Sequence, residues 1–131
     1  MNMKKALTIA IFFSVFIFNC TQEQGEPYFC HLYGFLKSAE DSLGVNSILL
    51  QIKDLDPDNT HKYRIRETTT RTVDSLAGFF EMDSVCYGTT TMEGEFVQIY
   101  VDSTKNPDWA TQLWIPKIWS EVETLTLYLY R

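Results

Sequence analysis

From residue 28 onward the apolar side chains of this chain recur at every second position, a period that suits strands with one buried face and leaves no stretch for an amphipathic helix. The clearest run is the last, where Leu125, Leu127 and Leu129 alternate with Thr124, Thr126, Tyr128 and Tyr130. Val97, Ile99 and Val101 share one side of another strand, with Phe96 and Tyr100 on the other. Tyr63, Ile65 and Glu67 alternate with Lys62, Arg64 and Arg66, which predicts a strand with a basic outer face. Four further segments follow the same rule: Leu32 to Leu36, Val45 to Ile52, Phe79 to Met82 and Gln112 to Ile115. Between the seven strands lie turn signals, among them Asp41-Ser42-Leu43-Gly44, Asp56-Pro57-Asp58-Asn59 and Asn106-Pro107-Asp108. Short strands at this spacing predict an all-β, seven-stranded Greek-key β-sandwich; periodicity alone leaves a barrel of equal strand count as the alternative.

The residues before this pattern belong to a different class. Lys4 and Lys5 precede an apolar and small-residue run from Ala6 to Phe18, the arrangement of a secretory signal peptide. At 13 residues the run is shorter than the roughly 20 needed to cross a bilayer as a helix, and the polar stretch from Thr21 to Glu26 follows it closely. Its end, Ile17-Phe18-Asn19-Cys20, resembles the lipobox of bacterial lipoproteins. That resemblance implies cleavage before Cys20, lipidation of the Cys20 thiol and anchoring in a bacterial membrane; two or more acyl chains hold a protein stably, at about 0.8 kcal/mol per buried methylene. The expected organisation is a signal peptide over 1–19, a polar tether over 20–27 and one domain over 28–131. The compartment is then the cell envelope, on the periplasmic side or the cell surface.

Loss of 1–19 removes Lys4 and Lys5 and no acid, so the net charge moves from −6 to −8. An acidic chain without a basic cluster repels phosphate backbones, which excludes nucleic acid as the expected partner. With Cys20 assigned to lipid, Cys30 and Cys86 remain as an even pair in an oxidising compartment. They predict a disulfide contributing about 2–4 kcal/mol, with two separate buried thiols as the alternative.

Three segments in order then resemble the carboxypeptidase regulatory-like domains, which share the prealbumin-like β-sandwich. Tyr33-Gly34-Phe35-Leu36 stands for the glycine-bearing first strand, Asp41 to Gly44 with Val45 for the acidic turn and following strand, and Thr72-Val73-Asp74-Ser75-Leu76-Ala77-Gly78-Phe79-Phe80 for the family's T-x-D-x-x-G-x-F run. The resemblance implies a fold and a structural or binding role beside other envelope proteins. Gly78 is expected to supply a backbone angle other residues resist, and Asp74 to hydrogen-bond within its turn.

Catalytic patterns are missing from the sequence. His31 and His61 lack the H-x-x-E or H-E-x-x-H spacing of a zinc site, and no G-x-S-x-G turn occurs. No enzyme activity and no cofactor are expected. Asp54, Asp56 and Asp58 alternate along one loop and are the candidate calcium ligands, although Asn59 and Ile65 stand where an EF-hand needs glycine and a bidentate acid; a plain acidic turn is the alternative. Trp109, Trp114 and Trp119 form the candidate ligand surface, with core or edge packing as the alternative. The expected role is a lipid-anchored accessory module whose partners are the bilayer and an envelope protein or polysaccharide. A carbohydrate-binding module using the tryptophans and a calcium-stabilised adhesion module are the runners-up.

Overall fold

The structure, a computed structural model, describes residues 25–58 and 60–131. The signal peptide expected over 1–19, the anchor Cys20 and most of the tether expected over 20–27 lie outside the described residues.

The described residues form eight strands: β1 Pro27–Ser38, β2 Leu49–Leu55, β3 Tyr63–Thr69, β4 Arg71–Val73, β5 Leu76–Thr89, β6 Gln98–Val101, β7 Gln112–Trp114 and β8 Val122–Leu129. They make two four-stranded sheets, ordered β4-β5-β1-β8 and β3-β2-β6-β7, around one shared core, a β-sandwich. All pairings are antiparallel except that of β1 with β8.

The expectation of seven strands is corrected to eight. The added one is β4, three residues that periodicity cannot register, and the predicted fourth strand is the middle of the 14-residue β5. The two join through a two-residue hairpin in which Asp74 (φ 50°) and Ser75 (φ 65°) both take left-handed angles, the geometry that matches the twist of a tight hairpin. Asp74 thus serves the turn through its backbone.

Each sheet turns one parity inward. Cys30, Leu32 and Leu36 of β1, Phe80 and Met82 of β5, and Leu127 and Leu129 of β8 meet Leu50 and Ile52 of β2 and Ile99 and Val101 of β6. The opposite parity of β1 and β5 carries a half-buried aromatic strip, with Phe79 edge-on to Phe35 at 5.8 Å and the Arg71 guanidinium 5.2 Å from the Phe79 ring.

Strand β3 overturns one expectation. Its register sets Arg66 across from Ile52 and Arg64 across from Asp54, both on the buried parity of β2, so the basic face points inward between the sheets. Ile65 faces out, 62% exposed. Alternation fixes the period of a strand and leaves its sign free; here the sign is decided by Asp54, a carboxylate on the core side of β2 that requires cations.

Gly78 sits at φ 83°, and a methyl group there would collide with the main-chain oxygen of Leu36. Its N–H donates to Asn46 Oδ1 at 2.8 Å, which fastens the crossing from β1 to β2 onto β5. Gly78→Ala is therefore expected to cost more than the about 1–2 kcal/mol of the left-handed angle alone. A urea midpoint equal to wild type would refute the constraint, whereas Asp74→Gly should leave the midpoint nearly unchanged.

Candidate functional site

The most connected polar group among the described residues ties the two sheets together. The Asp54 carboxylate is fully buried and accepts from Arg64 Nε at 3.0 Å, Arg64 Nη2 at 2.9 Å, Arg66 Nη2 at 3.4 Å and the backbone N–H of Cys86 at 2.7 Å. Both guanidiniums then continue to the facing sheet. Arg64 donates to the Ser84 carbonyl at 2.6 Å, and Arg66 to the carbonyls of Asp83 and Ser84 at 3.0 and 3.2 Å. Those carbonyls are presented by a bulge in β5: Cys30 pairs with Val85 and Leu32 with Met82, so Asp83 and Ser84 oppose His31 alone, with Ser84 at φ 54°.

The two arginines respond differently. The hydrogen bonds that Arg64 donates to Asp54 raise the Arg64 pKa, while burial lowers that of Arg66. Distance explains the split, since Arg64 makes the close two-pronged contact and Arg66 the longer one, with its buried Nε unpartnered among the described residues.

The three aspartates named as candidate calcium ligands, Asp54, Asp56 and Asp58, have different surroundings. Asp54 spends its oxygens on the arginines, and Asp56 accepts from the Asp58 and His61 N–H groups and the Thr60 hydroxyl, which hold its carboxyl below the usual range. Asp58 is exposed, and among the described residues no three His, Cys, Asp or Glu side chains are grouped to hold a metal ion. The alternate spacing follows the inward parity of β2 and then a turn.

On the outer face of the first sheet, His31 lies between two carboxylates, with Nε2 3.4 Å from Glu81 and Nδ1 3.3 Å from Asp83. Glu81 is held below its ordinary pKa first by Arg71 at 2.8 Å and then by His31, and Asp83 first by His31. All three are substantially exposed, so their mutual stabilisation is small.

The disulfide expected between Cys30 and Cys86 is not formed; both are free, buried thiols. The bulged register explains it. Cys30 sits opposite Val85 and faces the core, whereas Cys86 sits opposite Phe29 and its thiol donates to the Gly88 carbonyl at 3.5 Å. Burial, with the Glu123 carboxylate second, pushes the Cys30 thiol up to about 11, and burial raises Cys86 too. Since the folded pKa of Cys30 lies above the 9.0 of an unburied thiol, the protonated form favours the fold. That stability is fully present below pH 9 and is lost as pH rises toward 11, on the order of 2–3 kcal/mol. Denaturation followed across this window should give a steeper decline for wild type than for Cys30→Ala; parallel curves would refute it.

The three tryptophans are divided. Trp109 and Trp114 pack against the core, Trp109 beneath the Arg131 guanidinium at 5.0 Å, while Trp119 is 80% exposed. Trp109 and Trp114 are partly buried, so the three differ in exposure. Trp119 instead borders an end groove of about 290 Å³ with Tyr28, Tyr87, Met92 and Ile118. Tyr28 and Tyr87 stand 5.9 Å apart between ring centroids and also line an adjoining depression of about 410 Å³ bounded by Pro27, His31, Asp83 and Glu121.

Sequence reasoning did not select Tyr28, Tyr87, Arg64 or Arg66. The tyrosines meet only through the second irregularity of the β1–β5 register, which no local pattern announces. The arginines were discoverable, because an aspartate on the Leu50-Ile52 parity demands a buried cation from an adjacent strand. Comparison with protein-family models, with curated proteins and with solved structures gives no match.

Proposed function

We propose that this chain is a non-catalytic accessory module of a bacterial cell envelope: a prealbumin-like domain of the carboxypeptidase regulatory-like kind, held to a membrane by lipid on Cys20. The observation that carries the binding role is the placement of its exposed apolar side chains. Of eleven large ones among the described residues, six fall between residues 113 and 130, namely Leu113, Ile115, Trp119, Val122, Tyr128 and Tyr130. Exposed apolar side chains on an acidic domain are the kind that partners cover.

The family reading is supported by where its motif residues fall. The Gly34 strand, the turn at Gly44 and the Gly78 hairpin form one contiguous region, with Lys37 bridged to Gly44 and Val45 N–H bonded to the Leu36 carbonyl at 2.9 Å. Asp54 with its arginines joins the sheets, and Arg71 joins Glu81 on the outer face.

Lipid attachment is tested by metabolic labelling. Radioactive palmitate should label wild-type chain and leave Cys20→Ser unlabelled, with the variant moving from the membrane to the soluble fraction. Equal labelling of both would overturn the anchor.

A carbohydrate ligand is the second reading, favoured by Trp119 standing exposed beside Tyr28 and Tyr87 at the end groove. Envelope polysaccharide should then quench tryptophan fluorescence in wild type and not in Trp119→Ala. Equal quenching in both would place the ligand elsewhere.

A further inference from the structure

The two sheets have four edges, and three of them are blunted. β4 and β7 are three residues each, and β3 carries Arg64 and Arg66 pointing inward, a device that discourages pairing with another strand. The fourth edge, β8, has the sequence Val-Glu-Thr-Leu-Thr-Leu-Tyr-Leu, with a single charged residue near its start. It is long, rich in β-branched and aromatic residues and free of proline.

The backbone of β8 is phased for pairing. Glu121 and Leu129 turn their carbonyls toward β1, accepting from His31 and Ala39 N–H at 2.8 and 2.9 Å. In a parallel ladder the groups that face the neighbour come from alternate residues, so those of Thr124, Thr126 and Tyr128 point away from β1. Among the described residues no strand meets them. The ends of this open stretch are closed, since the Ser120 hydroxyl donates to the Val122 carbonyl and Tyr130 is bonded on both sides to Gln112. What remains is a short template flanked by Trp119, Val122, Tyr128 and Tyr130, all exposed.

We infer that this edge pairs with the same edge of a second copy, antiparallel, about a twofold axis at Thr126. A residue whose N–H and C=O both face outward is the one that can lie on such an axis, exchanging two hydrogen bonds with its own copy. Thr124 then lies beside Tyr128 of the other copy, a β-branched and aromatic pair of the kind that stabilises neighbouring strands. Charge selects a second copy over an arbitrary strand. The antiparallel arrangement brings the Glu121 and Glu123 end of one β8 toward the Arg131 end of the other, and the two four-stranded sheets become one of eight strands. The pairing requires no anchor and stands apart from the Cys20 assignment.

The test is cross-linking of the full chain carrying Thr126→Cys, with wild type as the blank for its own cysteines and Ile65→Cys, on the exposed face of β3, as the control. A short thiol-specific cross-linker should convert most of the Thr126→Cys chain to a product of twice the mass and leave Ile65→Cys monomeric. Equal yields from the two variants, or a Thr126→Cys product of any other mass, would overturn the inference, the latter in favour of a foreign strand. Thr126→Pro supplies a second arm. Its N–H faces away from β1, so the fold tolerates proline there while the dimer ladder does not. Light scattering should show a folded monomer; a dimer of unchanged affinity would overturn the inference, and if the variant does not fold the cross-linking result decides.

Discussion

Replacing Asp54 with alanine is expected to lower the stability of the domain by about 3–5 kcal/mol, the range for removing one partner from a buried ion cluster. In a domain of this size that corresponds to a Tm roughly 15–30 °C lower. The carboxylate is fully buried and its removal leaves the partly buried Arg64 and Arg66 side chains without their shared counter-charge, with the Cys86 N–H also unpaired. Coulomb repulsion and an unsatisfied donor then act in the same direction. Asp54→Asn should fare little better, because it preserves the shape and discards the charge. The informative contrast is the triple variant Asp54→Leu with Arg64→Met and Arg66→Leu. If the cluster is costly to break rather than intrinsically stabilising, this apolar replacement should recover most of the loss. Thermal and urea denaturation measure both; a single variant within about 1 kcal/mol of wild type would show that the inter-sheet contact contributes little.

Much of the fold could be read from alternation alone, and the reason is visible in particular strands. β8 and β6 were identifiable because one face is core and the other is solvent, so Leu127 and Leu129, or Ile99 and Val101, stand out against threonine and tyrosine. β4 was not, because three residues carry no period. The sign of β3 was misread because arginine is expected outside, and only a buried acid on the adjacent strand reverses that expectation. The two bulges between β1 and β5 were invisible for the same reason that they matter: each adds a residue with no local signature, and together they stagger Cys30 from Cys86, deliver two carbonyls to the arginines and set Tyr87 beside Tyr28. Spacing alone did not tell that Asp54 lies on the inward parity of β2 while Asp58 is exposed, or that Trp119 stands exposed while Trp109 and Trp114 pack against the core.

Phe80→Ala is expected to destabilise by about 3–5 kcal/mol, the cost of deleting a buried aromatic ring and leaving its cavity. Phe80 heads the fully buried side chains by volume, and it stands among Leu32, Leu36, Leu50 and Ile52 in the core that both sheets share. Its neighbour Phe79 is the internal control. It lies on the opposite parity, against Tyr33 and Phe35 on the outer face and under the Arg71 guanidinium, half-buried. Phe79→Ala removes the same atoms from a surface that water can refill, so about 1 kcal/mol of aromatic contact is lost and no sealed cavity forms. The pair therefore tests the register of β5 directly. A slip of one residue would exchange their roles, because neighbouring side chains in a strand point to opposite faces. Equal losses for the two, or the larger loss at Phe79, measured by urea denaturation at constant m-value, would contradict the inward parity on which the shared core rests.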